Sequence, residues 1–311
     1  AYYIGRQLEL ASEPAEAERG DLALRFANER SVEYGGKKYT YNPTLTSILL
    51  LGTDKEETAQ ASPGFRSGGQ ADFLMLLVLD AQHKTVSRIQ IDRDTMTQLT
   101  VLGVLGNVTG TRMAQISLAH GFGDGGHESS KLTAQAVKNL LGDIDINLYA
   151  SLNLDAISTL NDWLGGVTVT IGDDFSQVDS AMVKGSTIRL LGPQAEYFVR
   201  SRMSVGDGSN AQRMIRQRQY LAGASDLMQQ RIKQNKNAAG ELFDLLSGQM
   251  VTNMSRGRMI NELDRGFSYK MGNILSLEGE HTQGADGFTE FYADAGALTK
   301  LVLDIFYLPV E

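Results

Sequence analysis

An α/β fold is what this sequence predicts: a single central, mostly β sheet flanked by helices on both faces, an α/β/α sandwich with a small N-terminal hairpin extension. Three observations carry that reading. Apolar runs of strand length alternate with longer segments of helical period along the whole chain. Neither a low-complexity linker nor an internal repeat interrupts them. The 311 residues are 42% hydrophobic, enough for a sizeable core in one large domain or two small ones.

Residues 1–30 are polar and rich in alanine and glutamate, which predicts a helical segment. Ser31–Tyr41 alternates about Gly35-Gly36, the pattern of a β-hairpin. These two pieces form an N-terminal unit, 1–41, ahead of a main domain over 42–311. Thr44–Thr53 reads as a strand ending at Asp54, and Pro63, Gly64, Gly68 and Gly69 punctuate the polar loop after it. Phe73–Asp80 and Thr85–Ile91 are the next strands, the second running into Asp92-Arg93-Asp94.

Ser129–Leu141 predicts a helix, with Leu132, Ala136 and Leu140 on one face and Ser129 or Ser130 as its cap. Leu154–Leu164 predicts another, stopped by Gly165-Gly166, and Val167–Ile171 a strand. Gly192-Pro193 opens a short helix towards Arg200, and Asn210–Gln234 and Ala239–Met250 are helical in period. Phe267–Glu278 reads as extended, and Ala295–Phe306 as a closing helix.

With 29 Lys+Arg against 37 Asp+Glu the net charge is −8, which argues against a nucleic-acid binder. The absence of cysteine removes disulfides, thiolate nucleophiles and Cys-ligated metal sites. The four histidines form no close metal-spaced pair, and His120 and His127 read as residues of a glycine-rich loop. Apolar runs such as Ile48–Gly52 are too short to span a bilayer, and the chain opens without a signal-peptide pattern.

Against that acidic background Arg200, Arg202, Arg213, Arg216 and Arg218 cluster. Arg200 and Arg202 would share a side in an extended segment. Arg213, Arg216 and Gln217 would share a helix face. Gathered guanidinium groups repel unless an anion lies between them, and their planar fork suits phosphate oxygens. A solvated face with ion pairs to Asp207 and its neighbours is the other reading.

Asp54 ends one strand and Asp72 opens the next, so neighbouring strands would bring both carboxylates to one sheet edge. Such a pair needs a shared proton or a cation, and Mg²⁺ held by two Asp and substrate phosphates meets that need. Turn and strand-start roles for the two residues remain the alternative. Arg93 reaches the same edge, and Asp94 is placed to orient an arginine.

The segments Leu49–Asp54, Ala71–Leu76, Ile89–Thr95, Leu164–Val167, Arg200-Ser201-Arg202 and Arg213–Gln217 together resemble the LytR–CpsA–Psr family. The likeness runs from about Asn42 to the arginine-rich helix and continues more weakly through Phe291–Tyr307. It implies a membrane-anchored enzyme on the extracellular face of a Gram-positive cell, with its anchor helix ahead of Ala1. Such enzymes transfer a glycopolymer from a polyprenyl pyrophosphate lipid to peptidoglycan. By the same match Asp54 and Asp72 bind Mg²⁺, and Asp72 and Arg93 are catalytic. Arg93, Arg200, Arg202, Arg213, Arg216 and Gln217 grip the pyrophosphate, with Asp94 behind them.

The resemblance also implies an apolar tunnel for the prenyl tail, for which Val101–Leu105 and the helices Ser129–Leu141 and Leu154–Leu164 are candidate walls. The family pattern commonly has Arg-Ser-Asp where this chain has Gln70-Ala71-Asp72, and proline where it has Asp92. Its lysine and asparagine ahead of the aromatic-glycine loop align loosely with Gln115 and Ser117, and Arg66 or Arg112 are the loop cations in reach. Each missing charge-assisted hydrogen bond costs about 1.5–3 kcal/mol. A non-catalytic carrier of polyprenyl phosphates and a pyrophosphate hydrolase are therefore the alternatives to a transferase.

Overall fold

The computed structural model of the chain describes residue 26 and residues 30–54, 68–103, 106–203 and 205–310. The helix expected over 1–30 lies outside them except for Phe26 and Arg30, and Arg66 lies outside them too. Strands β1 (Ser31–Tyr34) and β2 (Lys37–Tyr41) form the expected hairpin. Gly35 and Gly36 turn it at φ of 58° and 72°, a left-handed pair that glycine adopts without strain.

Three antiparallel strands, β3 (Leu45–Thr53), β4 (Ala71–Asp80) and β5 (Thr85–Ile91), form the middle of the main sheet. Next in the chain come a separate hairpin of β6 (Met96–Leu102) and β7 (Val108–Gln115), then β8 (Leu148–Leu152), which joins β3 in parallel. Strands β9 (Thr168–Thr170) and β10 (Thr187–Arg189) pair with each other. β11 (Met250–Thr252) and β12 (Lys270–Ser276) close the two edges, giving the order β11-β8-β3-β4-β5-β12. A last hairpin, β13 (Gly279–Gln283) and β14 (Thr289–Ala293), precedes β15 (Tyr307–Pro309), which pairs with β2.

Successive residues of a strand point to opposite faces, so these apolar runs feed two cores. Leu49, Leu51, Leu74, Leu76, Ile89 and Ile91 face one way. They pack with helices α1 (Leu118–Gly121) and α2 (His127–Leu140), described first in chain order. Ile48, Leu50, Leu77 and Val86 face the other way. That side carries α3 (Asp155–Leu164), α4 (Gln194–Arg200), α5 (Asn210–Gln234), α6 (Ala238–Leu246) and α7 (Arg256–Ser268). The closing helix α8 (Ala295–Phe306) returns to the first face through Leu298, Val302 and Phe306. Burial on both faces explains why the strands read as nearly unbroken apolar runs.

Several expectations are corrected. Helix α2 begins at His127 behind Gly126, so Ser129 and Ser130 are interior residues rather than caps. Ser129 Oγ donates to the His120 carbonyl at 2.6 Å and accepts from the Gly125 N–H at 2.7 Å. His120 is itself buried within α1, and His127 is helical, so neither is a loop residue. The helix expected to reach Met250 stops at Leu246, and Met250 starts β11. Helix α7 occupies the first residues of the segment read as extended, capped where Ser255 Oγ accepts from the Arg258 N–H at 3.2 Å.

Candidate functional site

Strand ends build the site. Thr53 pairs with Ala71, after a bulge at Gly52/Thr53, so Asp54 and Asp72 arrive at one end of the sheet. Asp54 Oδ1 accepts from the Gln70 N–H at 2.8 Å, and the Asp54 N–H donates to the Gln70 carbonyl at 3.2 Å. β5 stops at Ile91 opposite Leu74 and delivers Arg93 to the same rim. Arg93 Nη1 donates to Asp72 Oδ1, and its Nη2 to Gln70 Oε1. Gln70, which stands where the family pattern has arginine, thus supplies an acceptor.

Helix α5 brings the facing wall. Ser209 caps it, its Oγ accepting from the Gln212 N–H at 3.2 Å, which satisfies one of the first-turn donors. One turn in, Arg213 is buried, and burial pulls its guanidinium below the usual arginine range. Its Nη1 donates to Asp72 Oδ2 at 3.2 Å. The Arg202 side chain makes no hydrogen bond or ion pair among the described residues, and its charge acts on both Asp94 and Arg213.

The other cluster members point elsewhere. Arg200 is the last residue of α4, not part of an extended pair with Arg202, and its Nη1 donates to Glu196 at 3.0 Å. At 43% side-chain exposure it faces outward. Arg216 turns inward, donating to Asp173 Oδ2 at 2.5 Å, to the Phe198 carbonyl at 3.0 Å and to the Ser201 carbonyl. Gln217 donates to the Val199 carbonyl at 3.3 Å and accepts from Gln90 at 2.9 Å. Arg216 and Gln217 therefore hold the 198–201 segment that carries Arg202. The fifth arginine, Arg218, donates to Gln90 Oε1 at 3.0 Å and Ser276 Oγ at 2.9 Å.

Asp94 lies buried behind Arg93, its Oδ1 3.6 Å from Arg93 Nε. Burial, followed by the charge of Asp92, pushes its carboxyl up to about 6, while Arg93, Arg202 and Arg213 pull it back. Two residues here were missed by sequence reasoning, Asn210 and His281, whereas Asp92 was noted as the anion that stands where the family pattern has proline. Asn210 was visible only as the neighbour three residues before Arg213. His281 lies 189 positions from its partner Asp92, and spacing gives no sign of it.

Among the described residues no three acidic or histidine side chains form a metal cluster. The donor chemistry still fits Mg²⁺. Asp54 has one oxygen engaged by Gln70, and each Asp72 oxygen accepts one arginine hydrogen bond and keeps a second lone pair. Two carboxylates with phosphate oxygens make a magnesium site, whereas a cage of protein ligands alone is absent from the described residues.

Behind the rim lies an apolar cavity of about 230 Å³. It separates the sheet face from α5, α6 and α7, with Leu50, Met75, Leu77, Leu221, Ala224 and Met228 in its wall. By comparison, a dry void of about 150 Å³ takes up benzene. Along α5, Leu221 follows Arg213 by eight residues, about 12 Å at 1.5 Å per residue. The expected walls are partly corrected: Leu160 and Leu164 of α3 line it, but α2 packs on the opposite face of the sheet. Leu102 also belongs to that opposite core, and residues 104–105 lie outside the described ones.

Helix α5 thus carries both Arg213 at the rim and Leu221, Ala224 and Met228 in the cavity wall. The chain belongs to the LytR_cpsA_psr family, whose model matches residues 24–302. It is 26% identical over 262 residues to the polyisoprenyl-teichoic acid–peptidoglycan teichoic acid transferase TagU of Bacillus cereus (strain AH820), covering 82% of this chain and 76% of that one. The TagU of Halalkalibacterium halodurans is 29% identical, over 76% and 70% of the two chains. Among solved structures, one from Streptococcus agalactiae superposes with a TM-score of 0.68 at 20% identity, covering 84% of this chain and 86% of its own. TagV of B. subtilis gives 0.62 at 24%, with 84% and 96% covered, and TagT bound to LI-WTA gives 0.64 at 21%, with 91% and 97% covered.

Proposed function

We propose that this chain is a glycopolymer transferase of the cell envelope, moving a polymer from a polyprenyl pyrophosphate lipid onto peptidoglycan. One observation carries the reading: Arg213, on the same helix as the cavity-lining Leu221, Ala224 and Met228, ends on Asp72 at the sheet rim. A pyrophosphate at the rim and a prenyl tail in the cavity satisfy both halves together. The relatives named as polyisoprenyl-teichoic acid–peptidoglycan transferases support it.

In the reaction an acceptor sugar hydroxyl attacks the phosphorus that bears the glycan. The new P–O bond forms as the bond to the bridging oxygen breaks, and that electron pair leaves on polyprenyl phosphate. Arg93, Arg202 and Arg213 lie where charge gathers on the non-bridging and leaving oxygens, the main source of rate in phosphoryl transfer. Asp72, released from its arginines by the phosphate, takes the hydroxyl proton. Asp54 and Asp72 would hold Mg²⁺, which supplies further neutralisation of the pyrophosphate when bound.

The test is transfer of labelled glycan from its polyprenyl pyrophosphate carrier to peptidoglycan, with Mg²⁺ or with chelator. Linked product from the wild type, and none from Arg213→Ala, is the expected result. Release of free glycan phosphate without linkage is the outcome that overturns it in favour of hydrolysis.

A further inference from the structure

Asp92 stands at the end of β5 where the family pattern has proline, and the proposed reaction gives it no part. Its carboxylate is 6% exposed and accepts three hydrogen bonds. Oδ1 takes Asn210 Nδ2 at 2.6 Å and the Asp94 N–H at 2.9 Å, and Oδ2 takes His281 Nε2 at 2.9 Å. Asn210, also buried, turns its other end on the arginine. Its Oδ1 accepts from Arg213 Nε at 3.1 Å and from Nη2 at 2.7 Å. Nη1 of Arg213 is thereby turned to Asp72.

A carboxylate only accepts and a guanidinium only donates, so an amide between them has one satisfied orientation. Flipped, Asn210 would set its NH₂ against the arginine and its oxygen against the carboxylate. Buried groups left in that state lose their hydrogen bonds with no water to replace them. A proline at this place has no side-chain acceptor and could not bias the amide. We propose that Asp92 is a positioning residue: acting through Asn210, it fixes the orientation of the Arg213 guanidinium at the anion site. Its second oxygen ties the β13–β14 hairpin to the same point through His281. That hairpin also docks by the Phe291 N–H on the Asp94 carbonyl at 2.8 Å and by Gln115 Nε2 on the Thr289 carbonyl at 2.5 Å. The anion-binding consequence rests on the proposed function, whereas the orientation of Arg213 does not.

The experiment therefore has two readouts. The first is solvent exchange of the Arg213 Nε–H, followed by nitrogen-15 NMR in the full chain. Asp92→Ala is expected to speed it about tenfold, as is Asn210→Ala, while Asp92→Asn, which keeps the Oδ1 acceptor, stays close to wild type. The second is the Kd for farnesyl pyrophosphate, expected to weaken about tenfold in Asp92→Ala and to be rescued in Asp92→Asn. In an Arg213→Ala background the further change Asp92→Ala should leave that Kd unaltered. Unchanged exchange in both alanine variants overturns the proposal, as does an undiminished Asp92→Ala effect without Arg213. If Asp92→Ala does not fold, Asn210→Ala decides the first readout. Wild type that binds no farnesyl pyrophosphate sinks the proposed function, and the exchange measurement still decides the positioning.

Discussion

Arg213 Nη1 lies 3.2 Å from Asp72 Oδ2 although 141 residues separate the two in sequence, and Arg93 holds the other oxygen of the same carboxylate. Asp72 thus occupies the two guanidinium groups that a phosphate would use, and binding must exchange one anion for another. Asp72→Asn removes the competitor and leaves the arginines in place. Without metal, inorganic pyrophosphate should bind about tenfold tighter to this variant by calorimetry. Glycan transfer should fall by at least about a hundredfold, because the carboxylate is also the proposed proton acceptor. Weaker metal-free pyrophosphate binding by Asp72→Asn would show that Asp72 is not a stand-in for phosphate.

Arg202 and Arg216 divide the cluster into a cation whose side chain has no partner among the described residues and a brace. Arg216 is buried on Asp173 and two carbonyls, so Arg216→Ala strands a carboxylate and should cost about 2–4 kcal/mol in denaturant unfolding. Arg202→Ala removes no hydrogen bond among the described residues and should leave stability within about 0.5 kcal/mol. Its loss should instead weaken farnesyl pyrophosphate about tenfold. Comparable destabilisation by both variants would refute this division.

The central strands were legible because burial on both faces writes continuous apolar runs, and Asp54, Asp72 and Arg93 stand at their ends. The long helix α5 was legible from its length and period. The direction of Arg200 was not, since Arg200 ends a helix that pairs it with Glu196 four residues back. Nor could spacing separate Arg216 from Arg213 on one helix face, because Asp173 and the 198–201 carbonyls decide the matter through tertiary contact. The β6–β7 hairpin, with Val108–Arg112 exposed or half-exposed, lacks the clean alternation that marks a core strand. The cavity walls were assigned to the wrong helix in part because α2 and α5 both carry apolar residues at helical spacing. Only sheet topology says which face each covers.

Asp94 sets a pH dependence whose sign follows from its raised carboxyl. Folding shifts it from the ordinary 3.8 to about 6, so the folded chain holds a proton that the unfolded chain releases earlier. That contribution to stability is fully present below about pH 3.8 and is lost as pH rises through about 6. At pH 7 the buried charge costs roughly 2–3 kcal/mol at about 1.4 kcal/mol per pH unit. Asp94→Asn should therefore be more stable than wild type at neutral pH, with the gap closing on acidification to about pH 4. Binding of a pyrophosphate diester, whose own charge is constant here, should strengthen in wild type as pH falls through about 6 and stay flat in Asp94→Asn. Parallel unfolding and binding profiles for the two proteins would contradict the assignment.

The cavity makes the sharpest separation between head and tail. Ala224 lies on its α5 wall, and the space beside it is empty, so Ala224→Phe fills volume instead of displacing packed neighbours. Overpacking a solid core costs about 1–3 kcal/mol, and filling a void should cost less than that lower bound. The same ring takes the place of prenyl carbons, each worth about 0.8 kcal/mol when buried. Farnesyl pyrophosphate should therefore bind at least about tenfold more weakly to the variant, while inorganic pyrophosphate binds as it does to wild type. The affinity gained per added isoprene unit, measured from geranyl to farnesyl, should shrink in the same protein. An Ala224→Phe variant that folds normally and discriminates chain length as wild type does would place the tail outside this cavity, and the Arg213 rim would then hold a headgroup with no lipid behind it.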